Sequence, residues 1–134
     1  MQLGGVVAVT KILFLEEDQT TFEIRRCIAL VLEGIQPIEM YFAKDATEAL
    51  ELLDEVGPDV VVIEHEEEAE KELFLDGLKK SHPPVIVEEA QSDSRRRPGV
   101  SYQTRDGSLE GIHQLLKKAS ALALMGNTDN GFPQ

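Results

Sequence analysis

The residues best suited to chemistry in this chain are carboxylates set directly after apolar runs. Val60–Ile63 leads into Glu64 and His65, and then into an acid-rich stretch that lasts to Glu70. Lys11–Leu15 leads into Glu16, Glu17 and Asp18, and Val85–Val87 into Glu88 and Glu89. Val100–Thr104 leads instead into Arg105. Carboxylates so placed can ligate a hard divalent cation or attack phosphorus, and an arginine facing them can pair bidentately. His65 beside the acids looks like a metal-binding fragment. However, "HEEEAEKE" lacks the second histidine four residues on that a zinc-protease helix needs, so a solvated face is the simpler reading.

The elements that must position these residues alternate. Lys11–Leu15 is a short apolar strand, which Val6–Val9 would extend. From Thr20 to Leu32, Ile24, Cys27, Ile28, Val31 and Leu32 recur at helical spacing, with Gly34 as a stop. Cys27 reads as a core residue of that helix rather than a nucleophile. Pro37–Ala43 is a second strand. Asp45 caps a helix whose face is Ala46, Ala49, Leu50 and Leu53, ended by Gly57-Pro58. Val60–Ile63 is the third strand. A helix from about Glu67 to Lys80 places Ala69, Leu73, Phe74 and Leu78 inward, with acids in its first turn and lysines in its last. Val85–Val87 and Val100–Thr104 are strands four and five. Ser108 caps a last helix bearing Leu109, Ile112, Leu115, Leu116, Ala119 and Leu122, with His113 at its boundary. Strands three and four are continuously apolar, as in a parallel sheet covered on both faces. Right-handed crossovers then put helices on both sides and working residues beyond the carboxyl ends of the strands.

Composition narrows the function classes. The 134 residues suit one core, and a formal net charge of −12 argues against nucleic acid and anionic membrane surfaces. One cysteine excludes an internal disulfide or a cysteine-built zinc site and fits a cytoplasmic setting. No apolar run approaches the roughly 20 residues of a membrane span.

The segments "KILFLEED", "FAKDATEALELLDEVGPDVVVIE", "PPVIVEEA" and "SYQTRDGSLEGIHQLLKKA" resemble, in order and spacing, the CheY-like receiver domain of bacterial response regulators. The resemblance spans residues 11–124, leaving 1–10 as an N-terminal extension and 125–134 as a flexible C-terminal tail. It implies a flavodoxin-like doubly wound α/β fold, a five-strand parallel sheet of order 2-1-3-4-5. In that family an acidic pair after strand one holds Mg²⁺, and an aspartate ending strand three accepts a phosphoryl group. A Ser/Thr ends strand four, and a lysine followed by proline ends strand five. By position these roles fall on Glu16 and Glu17, Glu64, Glu89 and Arg105, with Asp106 in place of the proline. Each departs from the family residue.

The departures have physical weight. Glutamate for aspartate moves the carboxylate outward by roughly 1.5 Å, and a misplacement of about 1 Å can cost on the order of 100-fold in such a transfer. Mg²⁺ tolerates irregular distances poorly. Glu89 can only accept hydrogen bonds and repels phosphate, by roughly 4 kcal/mol for unit charges about 4 Å apart. Glu64 is therefore either a vestigial structural carboxylate or a fixed mimic of the phosphorylated state, paired with Arg105. The link 88–99, "EEAQSDSRRRPG", leaves little room for a full fourth helix, which is expected to be reduced or absent. Its Arg95, Arg96 and Arg97 are either a solvated loop, screened by the acids at 66–70, or an anchor for an acidic partner.

The expectation is a phosphorylation-independent pseudo-receiver of bacterial signal transduction, not an enzyme, that acts by binding a protein partner; a homodimer is allowed. It needs no cofactor, and a weak Mg²⁺ site is the most the acids permit. Two alternatives stay open. One is an active receiver phosphorylated with Mg²⁺ by a histidine kinase or small phosphodonor, and the other is an acidic divalent-cation module.

Overall fold

β-branched and aromatic side chains set the strands of this chain, and capping residues set its helices. In the computed structural model, residues 9–31, 37–79, 81–89 and 97–130 are described. They form β1 (Thr10–Leu15), α1 (Gln19–Val31), β2 (Ile38–Ala43), α2 (Ala46–Val56), β3 (Val60–Ile63), α3 (Glu68–Asp76), β4 (Val85–Glu89), β5 (Val100–Thr104) and α4 (Leu109–Asn130). The five strands are all parallel, in the order β2-β1-β3-β4-β5. This is the doubly wound sheet expected, with the order reversing between β1 and β3.

Alternation along the strands divides the core into two layers. Ile12, Phe14, Val60, Val62 and Ile86 face α1 and α4 and pack on Phe22, Ile112, Leu115, Leu116 and Ala119. Leu13, Leu15, Val61, Ile63, Val85 and Val87 face α2 and α3 and pack on Ala46, Ala49, Phe74 and Leu75.

The helix ends follow local chemistry. Asp18 caps α1, its Oδ1 accepting from the Thr20 N–H at 3.0 Å and its Oδ2 from the Thr21 hydroxyl at 2.9 Å. Asp45 caps α2 by accepting from the Glu48 N–H at 2.9 Å. Gly57 ends α2 with φ of 64°, a left-handed conformation that suits glycine, and its N–H bonds to the Leu53 carbonyl. Ser108 Oγ accepts from the Gly111 N–H at 3.0 Å and so caps α4.

Several expectations change. In α1 the inward stripe is Phe22, Arg25, Ile28 and Ala29, while Ile24, Cys27 and Val31 are exposed. A stripe rotated by about one residue still has helical spacing; what rotates it is the burial of a charged residue. α3 stops at Asp76, four residues before the expected end, and buries Phe74 and Leu75 while Ala69 and Leu73 are exposed. Gly77 follows it against Leu50 of α2, where a Cβ would stand 2.8 Å from Leu50 Cδ1. β4 includes Glu88 and Glu89, because both pair with β5, opposite Gln103 and Thr104. α4 runs past Gly126 to Asn130 instead of giving way to a tail at 125. A long docked helix outweighs the roughly 1 kcal/mol that one glycine costs. The proposed extension at Val6–Ala8, the stop at Gly34, Lys80, Arg95 and Arg96, and the tail beyond 130 lie outside the described residues. Among the described residues no helix lies between β4 and β5, and residues 90–96 of that link are not among them.

Candidate functional site

The site follows from strand register. Phe14 of β1 stands opposite Val62 of β3, Val62 opposite Ile86 of β4, and Ile86 opposite Ser101 of β5. Two residues further along each strand, on the same face, stand Glu16, Glu64, Glu88 and Gln103. The row closes the top of the layer that faces α1 and α4. Its carboxylates are deeply buried: Glu64 is 1% exposed, Glu88 2% and Glu16 6%. Adjacent strands lie about 4.8 Å apart, so these acids are neighbours in low dielectric.

Arg25 of α1 covers the row. Its guanidinium forms an ion pair with the Glu64 carboxylate through Nη1 and lies 3.9 Å from Glu16 Oε1. Arg25 is itself buried. Burial pulls its pKa below the ordinary arginine value, opposed by Glu88 and Glu16, whose charges favour the cation. Burial likewise pushes the Glu16 and Glu88 carboxyls above the ordinary range. The Asp18 N–H and Arg25 oppose this at Glu16, and the Gln103 amide and Arg25 oppose it at Glu88. Gln103 Nε2 donates to Glu88 Oε2 at 2.9 Å, and Lys118 Nζ of α4 donates to Gln103 Oε1 at 2.9 Å. Glu64 Oε2 and Glu88 Oε1 accept no hydrogen bond among the described residues. Three buried carboxylates thus share one buried guanidinium.

Arg105 sits above this row. It donates to the Glu64 backbone carbonyl, and its Nη1 meets Glu66 Oε2 at 3.0 Å. The expected pairing of Arg105 with the Glu64 carboxylate is therefore corrected: that carboxylate turns down to Arg25. Glu89 departs as well. Strand alternation puts it with Val85 and Val87 on the α2 and α3 face, so Glu88 joins the row in its place. Glu17 lies apart in the loops, where its Oε1 accepts from the Glu66 N–H at 2.9 Å.

His65 is buried, not solvated. Its Nδ1 accepts from the Glu67 N–H at 3.1 Å, and its Nε2 stands 3.1 Å from the Lys44 carbonyl. An accepting Nδ1 leaves the proton on Nε2, which donates to Lys44. His65 thereby ties the loop after β3 to the end of β2. Glu17, His65 and Glu67 bring ligand atoms within 4.8 Å of one another. Both ring nitrogens already serve the backbone, so this group is a loop tie rather than a metal centre. Arg97 pairs with Glu72 and, at 3.0 Å, with Asp76 of α3. The screening acids are thus those at 72 and 76, further along than expected.

Parallel strands in the order 2-1-3-4-5, with the altered carboxylates on strands one and three, decide the architecture. The chain has the fold of a response-regulator receiver domain. A two-component transcriptional regulator AraC from Clostridium phytofermentans ISDg superposes with a TM-score of 0.65 at 14% identity, over 90% of this chain and 98% of that one. The receiver domain of Francisella response regulator 1452 gives 0.56 at 22% identity, over 87% and 98%. The Vibrio cholerae chemotaxis protein CheY4 gives 0.52 at 14% identity, over 84% and 99%. No family model and no curated protein matches the sequence. No helix among the described residues is long and apolar enough to cross a membrane.

A receiver of the phosphorylated kind holds Mg²⁺ between its strand-one acids and its phosphoacceptor. The residues here do not fit that ion. A guanidinium already stands against Glu64 and beside Glu16, and a second cation would meet it at close range. Arg25 and Gln103 escaped the reading by sequence, and Glu88, named there as a residue after strand four, was not assigned to the row. The signal lay in the periods: Arg25 stands three residues after Phe22, and Glu88 two after Ile86.

Proposed function

We propose that this chain is a receiver-fold signalling module that works through protein contacts and is not phosphorylated. The observation that carries the reading is the Glu64 carboxylate, 1% exposed and ion-paired with Arg25. In-line attack on phosphorus needs an accessible oxygen lone pair, with cations free to neutralise the incoming phosphoryl oxygens. Here the oxygen faces into the α1 and α4 layer, and the cation nearest to it is already engaged. An added phosphoryl group would bring further negative charge beside Glu16 and Glu88, which are buried with it.

The partner is a protein rather than nucleic acid, in keeping with the net charge of −12. The setting is cytoplasmic, in keeping with the single thiol. Output is then set by partner binding or abundance and not by a covalent switch. The test is incubation with acetyl phosphate and Mg²⁺, followed by intact-mass measurement. No phosphoryl mass gain is expected. A Mg²⁺-dependent gain that disappears in Glu64→Gln would establish the active-receiver reading instead.

A further inference from the structure

The row of Glu16, Glu64 and Glu88 is a concentration of buried negative charge that would be prohibitive without a counter-ion, since an isolated buried carboxylate is desolvated at great cost. Two of these groups come from β1 and β3, the strands whose ends flank the reversal in strand order. That is where an α/β sheet of this kind takes its ligands. The counter-ion present there is not a diffusible ion. It is supplied by α1, from a residue that shares its helix face with Phe22 and is held in place by the packing of that phenylalanine on Phe14 and Phe42.

We infer that Arg25 is a built-in cation: its guanidinium takes the place of a divalent ion among the carboxylates of Glu16, Glu64 and Glu88. Two consequences follow. The wild-type domain gains nothing from divalent cations, because the position is filled by covalently attached charge. Removal of the guanidinium leaves three carboxylates around a vacated space. Such an all-oxygen, strongly anionic cage suits a hard divalent cation, Ca²⁺ better than Mg²⁺, because Ca²⁺ accepts irregular geometry. Glu64 Oε2 and Glu88 Oε1 accept no hydrogen bond among the described residues, so both are free to become ligands. A lysine at 25 would keep the charge but lose the planar fork, and would leave the cage closed to the metal.

This inference rests on the proposed function in one respect, that Glu64 is not a phosphoacceptor, and the two are tested separately. Thermal melts of the full chain are recorded in EDTA and in rising CaCl₂ or MgCl₂, with NaCl matching the ionic strength. The wild type and Arg25→Lys are expected to shift by less than about 1 °C. Arg25→Ala is expected to melt lower in EDTA, and to regain on the order of 10 °C, saturably, when Ca²⁺ exceeds its Kd about 100-fold. If Arg25→Ala is unfolded in EDTA, Ca²⁺ should fold it, as followed by circular dichroism. Adding Glu64→Gln to Arg25→Ala should abolish the gain. Two results would overturn the inference: saturable stabilisation of the wild type by either cation, or failure of Ca²⁺ to stabilise or fold Arg25→Ala. Wild-type cation binding without a phosphoryl mass gain would reject the built-in cation and leave the proposed function intact. A phosphoryl gain would reject the proposed function itself.

Discussion

Replacing Glu88 with glutamine removes one negative charge from a row that holds three against a single buried guanidinium. Glu88 stands one strand spacing, about 5 Å, from Glu64, and at an effective dielectric near 20 the two charges repel by about 3 kcal/mol. Its attraction to Arg25 has the opposite sign and offsets part of that repulsion. What is left is the desolvation of a carboxylate whose Oε1 accepts no hydrogen bond. A glutamine keeps the acceptor that Gln103 uses and exchanges the unpartnered charged oxygen for a neutral amide. The expected gain is about 1–3 kcal/mol at neutral pH. For a chain of this size that is roughly 4–12 °C in Tm. The sign with pH is definite. Burial raises the Glu88 pKa in the folded state above the ordinary 4.5. Its contribution is therefore fully present below 4.5 and is lost as pH rises through the raised value. Glu88→Gln should match the wild type at the acid end of that window and exceed it at neutral pH. Urea unfolding at the two ends measures the difference. A variant that is less stable than wild type at neutral pH, or a difference that does not change with pH, would refute the reasoning. The first would mean that the row needs all three charges, and the second that the charge of Glu88 is not what costs stability.

Other perturbations test the surroundings of the row. Arg105→Ala removes the donor to the Glu64 carbonyl and the partner of Glu66; it should cost about 1–2 kcal/mol and speed amide exchange at residues 65–67 while the fold persists. Arg97→Ala should cost at most about 1 kcal/mol, a loss that shrinks in high salt, because its pairs with Glu72 and Asp76 are partly exposed. Gly57→Ala places a side chain at φ of 64° with no atom within 4 Å of the new Cβ. Its cost of about 1 kcal/mol is one of backbone conformation alone, and should be the same in the presence and absence of Arg25.

The strands were legible because their signal is simple. Val60–Ile63 and Ile86 sit in the middle of a sheet covered on both sides, and unbroken apolar runs of that length have few other uses. Asp45, Gly57 and Ser108 were legible because capping is local: the residue that caps is the residue that is read. The inward face of α1 was not. Ile24, Cys27 and Val31 make a stripe as regular as that of Phe22, Arg25 and Ala29, and an apolar scan cannot choose a stripe whose middle member is an arginine. β4 failed for a related reason. Its apolar run ends at Val87, but its backbone pairing continues through Glu89, so acids that looked like loop residues are strand residues on opposite faces. The Arg105 and Glu64 pairing was inferred from proximity at the strand ends. Nothing in the spacing shows that the carboxylate turns inward, because that depends on a cation arriving from a helix that precedes it by some forty positions.

The ion pair between Arg25 and Glu64 also bears on how this chain could change over time. Shortening Glu64 to aspartate withdraws one carboxylate from Arg25 but leaves it Glu16, 3.9 Å away, and the charge of Glu88. Removing Arg25 first strands three carboxylates. That loss of the only cation in the row, among the described residues, leaves uncompensated buried charge, at a cost of about 3–5 kcal/mol, a large share of the stability a domain has. Making both changes does not restore the balance, because an aspartate at 64 is still a third carboxylate beside Glu16 and Glu88. A chain with this arrangement is held to Arg25 by the charge of its own sheet, and substitution is cheap only at its surfaces.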